Sequence, residues 1–359
     1  MSTEVARINA VGTAVPDQDI HHAFIAWAAK RITDPRAAKL FARMSTRSGI
    51  NHRYSVLPVG DRGGSPVSAK GFYAGDRLPG TAERMALYAQ FAPELALQAV
   101  KALASKIALD NVTHLVVASC TGFIAPGIDQ IIARRLGLSD TVERLLVGFM
   151  GCYAAIAALR SARHIVRSDA SARVLVVTVE LSTLHLQSDV TIEPLLAMLQ
   201  FGDGAAAALV SGEGEGFLIE RPFAINVPES DHLIRWTIGD EGFAMHLSGE
   251  VPGRIAEALK RRDVQDILTH GDGLPAIEAW AVHAGGRSIL DAVSNALYLP
   301  PGALDASRSV LQNYGNMSSA TLMFALDALF ASRPKRGVAI AFGPGLACEG
   351  FGFAWTGGA

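Results

Sequence analysis

Three residues far apart in the chain, Cys152, His283 and Asn316, are of the types that together carry out acyl transfer. A thiol can take an acyl group as a thioester, an imidazole can move a proton, and an amide can donate to an oxygen that gains negative charge. Each stands within two residues of a glycine, in "GFMGCYAA" (148–155), "VHAGG" (282–286) and "NYGNMSSA" (313–320). Taken singly, each has a plainer explanation: a cysteine in an apolar helix is usually inert core, a histidine before glycines a turn residue, an asparagine a helix cap.

Their spacing argues against three coincidences. Cys120 and Cys152 are 32 residues apart, His283 and Asn316 are 33 apart, and Val174 and Val338 each follow, 22 residues after Cys152 and Asn316. Short apolar runs rich in valine, "THLVVASC" (113–120) and "RVLVVTVE" (173–180), read as buried strands flanking a helix that begins near Cys152. "AWAVHAGG" (279–286), a helix over 313–330 and "GVAIAFGPG" (337–345) repeat the order, and "FGDGAAAALV" (201–210) answers "FGPGLACEGF" (342–351). The economical reading is an internal duplication of β-and-α halves packed face to face. The division falls near "SGEGEGF" (211–217), giving units 1–215 and 216–359. Cys152 and Asn316, at equivalent helix starts, would then converge with His283 beside them. A helix N-terminus and a neighbouring imidazole both favour thiolate, so Cys152 is expected to be ionised readily.

Composition sets limits on the partners. Of 359 residues, 50% are apolar and 18% charged, which suits a large core, and a formal net charge of −2 provides no pull toward nucleic acid or an anionic membrane. "MSTEVARINAVG" lacks the basic and apolar regions of a signal peptide, and no run is long and apolar enough to span a membrane, so a cytoplasmic protein is expected. Three cysteines without metal-ligand spacing are expected to be free thiols, with no metal site.

At "GCYAA", "HAGG", "NYGNMSSA", "FGPG", "FGDGAAA" and "VELSTLHLQ" the sequence resembles the type III polyketide synthases, the chalcone-synthase-like branch of the thiolase superfamily. The likeness runs from "FARMSTRSGINHRY" to the C-terminal glycine turn, and "GNMSSA" with "FGPG" favours this branch over the related ketoacyl synthase III enzymes. It implies an α/β thiolase-like fold, layered αβαβα, with two pseudo-twofold halves. Cys152 would take an acyl group from CoA, while His283 and Asn316 would bind the thioester carbonyl of malonyl-CoA during decarboxylation. Repeated Claisen condensation and cyclisation follow, with CoA thioesters as substrates and no cofactor.

The resemblance also matches Arg43 and Arg47 to positions that hold CoA phosphates, Phe201 to an aromatic gatekeeper, and Gly285 and Ser318 to the substrate site. Ala125 matches a loop position that reaches into the partner of a homodimer. Met245 replaces a second gatekeeping phenylalanine common in plants, Ala341 replaces the first glycine of "GFGPG", and Cys120 stands where plant enzymes have threonine, lining the cavity or packing in the core. Met245 suggests a pliable wall and a medium or long fatty acyl starter leading to a pyrone or resorcinol. An aromatic pentaketide made from malonyl-CoA alone is the alternative. Cys, His and Asn in this order also occur in papain-like proteases, so a hydrolase and a silent acyl-binding scaffold stand as competing readings.

Overall fold

In the computed structural model, which describes residues 5–357 apart from 62, 63 and 76, the elements used below follow in chain order. They are β1 (Arg7–Ala14), α1 (Pro35–Arg47), α2 (Thr81–Ala104), β2 (His114–Ser119), β3 (Glu143–Gly148), α3 (Ala154–Ser168), β4 (Arg173–Leu181), β5 (Asp203–Ser211) and β6 (Gly216–Asn226). A hairpin of β7 (Ile234–Gly239) and β8 (Gly242–Leu247) leads to α4 (Val251–Lys260), β9 (Ala279–Val282), α5 (Asp305–Tyr314), α6 (Ala320–Leu329), β10 (Gly337–Gly343) and β11 (Ala347–Thr356).

Strand pairing is continuous in the order β9-β10-β11-β6-β1-β5-β4-β2-β3. Read outward from the β6–β1 pair, β11 answers β5, β10 answers β4 and β9 answers β2. The senses agree as well: β11–β10 and β5–β4 are antiparallel, β10–β9 and β4–β2 parallel. The two sets of strands meet where Arg7 pairs with Leu218 and Ile8 with Phe217, so the halves join edge to edge there as well as face to face.

Alternation along the strands sorts side chains into three cores. Val174, Val176, Ala206, Ala208, Ala339 and Ala341 face a central layer with α3 and α6. The neighbours Leu175, Val177, Ala205 and Leu209 face α2, and Val338, Ile340 and Phe342 face α4 and the helix Arg287–Ala296. Helix, sheet, helix pair, sheet and helix are therefore stacked, the αβαβα arrangement. The middle helices are hemmed in on both sides, which is why α3 contributes Ala154, Ala155, Ala158 and Ala162 and why α6 is apolar nearly all round. Ala341 sits in regular strand and pairs with Glu349, so losing the family glycine costs the backbone nothing.

One expectation fails locally. The helix expected over 313–330 is two: α5 ends at Tyr314, Gly315 adopts a left-handed φ of 69°, and α6 starts only at Ala320. Asn316 therefore lies in a turn between helices.

Two glycine substitutions should move stability in opposite directions. A Cβ on Gly12 would overlap the main chain of Ala99 and Leu103 in α2, whereas Gly253 in α4 is exposed with nothing within 4 Å. Gly12→Ala should destabilise by about 1–3 kcal/mol and Gly253→Ala should stabilise by about 0.5–1 kcal/mol, as read from denaturant unfolding.

Candidate active site

The chain enters the site through a strained turn. After β3, Phe149 (φ 57°) and Gly151 (φ 76°) take left-handed conformations, and Cys152 falls in a short 3-10 turn, Gly151–Tyr153, that runs into α3. Gly151 is required there twice over, since its backbone is left-handed and a Cβ would overlap the ring of Pro344. A Cβ on Gly343 would in turn stand 2.6 Å from the Tyr153 ring and 3.4 Å from the Cys152 nitrogen. "GCY" and "FGPG", distant in sequence, are thus fitted against each other, and bulk on either would displace the thiol.

Asn316 is held by its own backbone and by its side chain. Its N–H donates to Gln200 O (2.8 Å), its O accepts from Gly202 N–H (3.0 Å), and Oδ1 accepts from Ser318 N–H (2.8 Å). That last bond fixes which end of the amide is which. Nδ2 is left as a donor, with one weak contact to Gly285 O at 3.3 Å. His283 follows β9, where its N–H donates to Ile340 O (2.8 Å). The residue is 1% exposed and neither ring nitrogen has a partner among the described residues. Ser318, with φ 47°, is buried and its hydroxyl is likewise unpartnered.

The expected thiolate is not the resting state. Burial pushes the Cys152 thiol up to about 12, with the nearby Glu180 charge adding to the rise, while Ser318 and Asn316 pull it down. Burial also pushes His283 down to about 3. Desolvation thus outweighs the helix N-terminus, and the site holds a thiol and a neutral imidazole with one N–H and one basic nitrogen.

Cys120 is buried beside the Cys152 turn. Its sulfur accepts from Gly151 N–H (3.0 Å) and its N–H donates to Glu180 Oε2 (2.9 Å), so it braces the turn that carries Cys152. Phe201 and Met245 do share a small cavity with Trp236 and Phe243. Met245 lies directly across the β7–β8 hairpin from Trp236, whose ring is edge-on to Phe201 at 6.3 Å. The wall expected to be pliable is therefore mostly aromatic.

Arg43 and Arg47 are exposed one turn apart on α1, in no ion pair among the described residues. The helix packs on Ile192–Met198, which supplies Met198 to the cavity wall. Gly285 bounds the site beside His283 and Asn316. Ala125 is exposed on the loop after β2 and lines none of these spaces. Sequence reasoning passed over Glu180, Ser182, Arg53 and Asp203. All four are buried, and the available signal was a charge at the end of an apolar strand run, as in "RVLVVTVE".

The family model for the N-terminal domain of chalcone and stilbene synthases matches residues 1–214, and that for the C-terminal domain matches 222–354. The chain belongs to this family. Bisdemethoxycurcumin synthase of Oryza sativa subsp. japonica is 35% identical over 333 residues, covering 86% of this chain and 81% of that protein. The alpha-pyrone synthesis polyketide synthase-like Pks18 of Mycobacterium tuberculosis is 30% identical over 367 residues, covering 98% and 91%. Among solved structures, PKS-I from the brown alga Ectocarpus siliculosus superposes with a TM-score of 0.88 at 27% identity, covering 99% of this chain and 100% of that one. The C-terminal type III polyketide synthase domain of Steely1 from Dictyostelium gives 0.87 at 24% identity over 98% and 99%, a likeness of fold. As a type III polyketide synthase of the thiolase superfamily, the chain is an acyltransferase. Among the described residues no helix is long and apolar enough to cross a membrane.

Glu180 carries a pH signature. Burial raises its carboxyl to about 7 despite hydrogen bonds from Ser319, Cys120 and Thr121. The folded chain therefore keeps a proton that the unfolded chain gives up near pH 4.5, and stability falls as pH rises through that window. Glu180→Gln can keep its Oε1 toward Cys120 and Thr121 and turn its amide to the Ser319 hydroxyl. Its melting temperature relative to the parent should improve between pH 5.5 and 8; a gap that does not change with pH would contradict the raised value.

Proposed function

We propose that Cys152 carries the acyl chain and that His283 and Asn316 serve both half-reactions of an iterative condensation. In the first, the Cys152 sulfur attacks the acyl-CoA carbonyl, its proton passes to the basic nitrogen of His283 and then to the departing CoA sulfur. In the second, malonyl-CoA loses CO2, and the electron pair of the broken C–C bond enters an enolate whose oxygen accepts from the His283 N–H and Asn316 Nδ2. The enolate carbon attacks the acyl-Cys152 carbonyl, the sulfur leaves as thiolate and takes up a proton from solvent, and the longer β-ketoacyl-CoA returns to Cys152 until it cyclises. Each extension thus consumes one proton and releases CO2 and CoA, with no change of oxidation state that calls for a redox cofactor.

The observation that carries this reading is a pair of buried donors beside Gly285, Asn316 Nδ2 oriented through the Ser318 N–H in the turn before α6 and the His283 ring after β9 without a hydrogen-bond partner among the described residues. Arg43 and Arg47 are proposed to meet the CoA phosphates. For the starter we propose a medium or long fatty acyl-CoA extended to an alkylpyrone or alkylresorcinol. The apolar linings on both sides of Phe201 support an aliphatic chain, and the match to an alpha-pyrone synthesis polyketide synthase-like protein over 98% of the chain supports the pyrone.

We also infer a homodimer in the cytoplasm, where CoA thioesters and free thiols coexist. The outer edge strand β3 exposes Leu145 and Leu146, and Phe123 and Phe149 beside it are also exposed, an apolar edge of the kind proteins cover. Light scattering should report twice the chain mass, and Leu146→Lys should shift the species toward monomer.

Cys152→Ala should abolish product formation, and His283→Ala and Asn316→Ala should each lower malonyl-CoA decarboxylation by about 10²-fold or more. Acylation of Cys152, followed by intact mass, should suffer less in the Asn316 variant. An acyl group found on Cys120, or product from Cys152→Ala, would overturn the assignment. Turnover of malonyl-CoA alone, with all acyl-CoAs refused, would favour the aromatic pentaketide.

A further inference from the structure

Behind Phe201 lies a second, small chamber, walled mainly by Phe24, Leu57, Val67, Tyr73 and Leu186. Ser182, Met198 and Phe201 line both this chamber and the cavity in front of Met245, so these three side chains are the partition between two spaces. The front space is crowded by Trp236 and Phe243. The space behind the partition adjoins the front one across these three side chains.

Two polar groups interrupt the apolar lining. Arg53, 1% exposed, donates from Nε to His21 Nδ1 (2.9 Å) and from Nη1 to the carbonyls of Met198 (2.9 Å) and Phe201 (2.6 Å), and its Nη2 has no partner among the described residues. Among the described residues no carboxylate hydrogen-bonds this guanidinium: the Asp203 oxygens accept from Val56 N, Thr183 N and Thr183 Oγ1. The Ser182 hydroxyl, 4% exposed, is equally unpartnered. Buried donors left unmet are costly, and a ligand that meets them is favoured over one that leaves them bare.

We propose that the chamber behind Phe201 receives the far end of the starter and selects an acyl chain carrying an oxygen there, held by Arg53 Nη2 and the Ser182 hydroxyl. This rests on the fatty acyl starter proposed above. An apolar body accounts for the walls and a terminal acceptor for the two donors; a plain alkyl end would satisfy only the first.

The test compares kcat/KM for acetyl-, decanoyl- and ω-hydroxydecanoyl-CoA, with malonyl-CoA as extender, in the full-length enzyme. The parent should prefer the ω-hydroxy chain over decanoyl by about tenfold or more, and Ser182→Ala should shrink that preference several-fold. Val67→Trp, which fills the chamber from its half-buried rim, should lower kcat/KM for both ten-carbon chains about tenfold while acetyl-primed turnover, the control for folding, is unchanged. If Val67→Trp disturbs that control, the parent's preference and its loss in Ser182→Ala decide. An enzyme that extends acetyl-CoA but does not prefer the ω-hydroxy chain, or whose Val67→Trp variant handles ten-carbon chains as well as the parent does, overturns the chamber alone. Absence of malonyl-CoA decarboxylation in the parent overturns the condensing reading and this inference together.

Discussion

A single buried carboxylate holds the two helix starts in register. Glu180, at the end of β4, is 0% exposed and accepts from Cys120 N–H, the Thr121 hydroxyl and the Ser319 hydroxyl. Through Cys120 it reaches Gly151 and the turn of Cys152; through Ser319 it reaches the turn of Asn316 and the start of α6. A carboxylate in such a place is expensive, and three donors offset only part of the cost. What it supplies is a fixed distance between two pieces of chain from different halves, each carrying one part of the chemistry. Without it, the small-residue packing of α3 and α6 could slide.

The same burial governs the electrostatics of the site. Cys152, His283 and Glu180 are all displaced toward their neutral forms by desolvation. A neutral, dry pocket makes each remaining hydrogen-bond donor more effective toward a charge that appears only transiently. The left-handed Gly151 and the fit of Gly343 against Tyr153 keep the thiol at that pocket without room for adjustment.

Much of this is legible in the sequence. Buried strands announce themselves as valine-rich runs, glycines mark the turns, and the equal spacings around Cys152 and Asn316 follow from equivalent strand and helix lengths. The layered fold and the family follow from those motifs. What cannot be read depends on contacts across sequence distance. The start of α6 lies beyond its expected place because the left-handed backbone at Gly315 and Ser318 is set by neighbours, and Asn316 is no simple cap. The partner of Met245 across the hairpin is Trp236, a pairing fixed by register. The sequence leaves Cys120 open between cavity lining and core packing because its bond to Gly151 exists only once the turn is folded. The protonated state of Cys152 escapes the sequence because a helix terminus is visible there and depth of burial is not.

The short ladder between residues 200–202 and Asn316 separates two kinds of evolutionary freedom. Phe201, which borders the cavity, and Asn316, which is positioned for catalysis, share a backbone bridge, so neither can shift without carrying the other. The bonds are made by main-chain atoms and survive any change of side chain at 201. Lineages can therefore exchange residue 201 and drift in what they admit while the catalytic amide stays where it is. Insertions or deletions between 200 and 202 would have no such latitude.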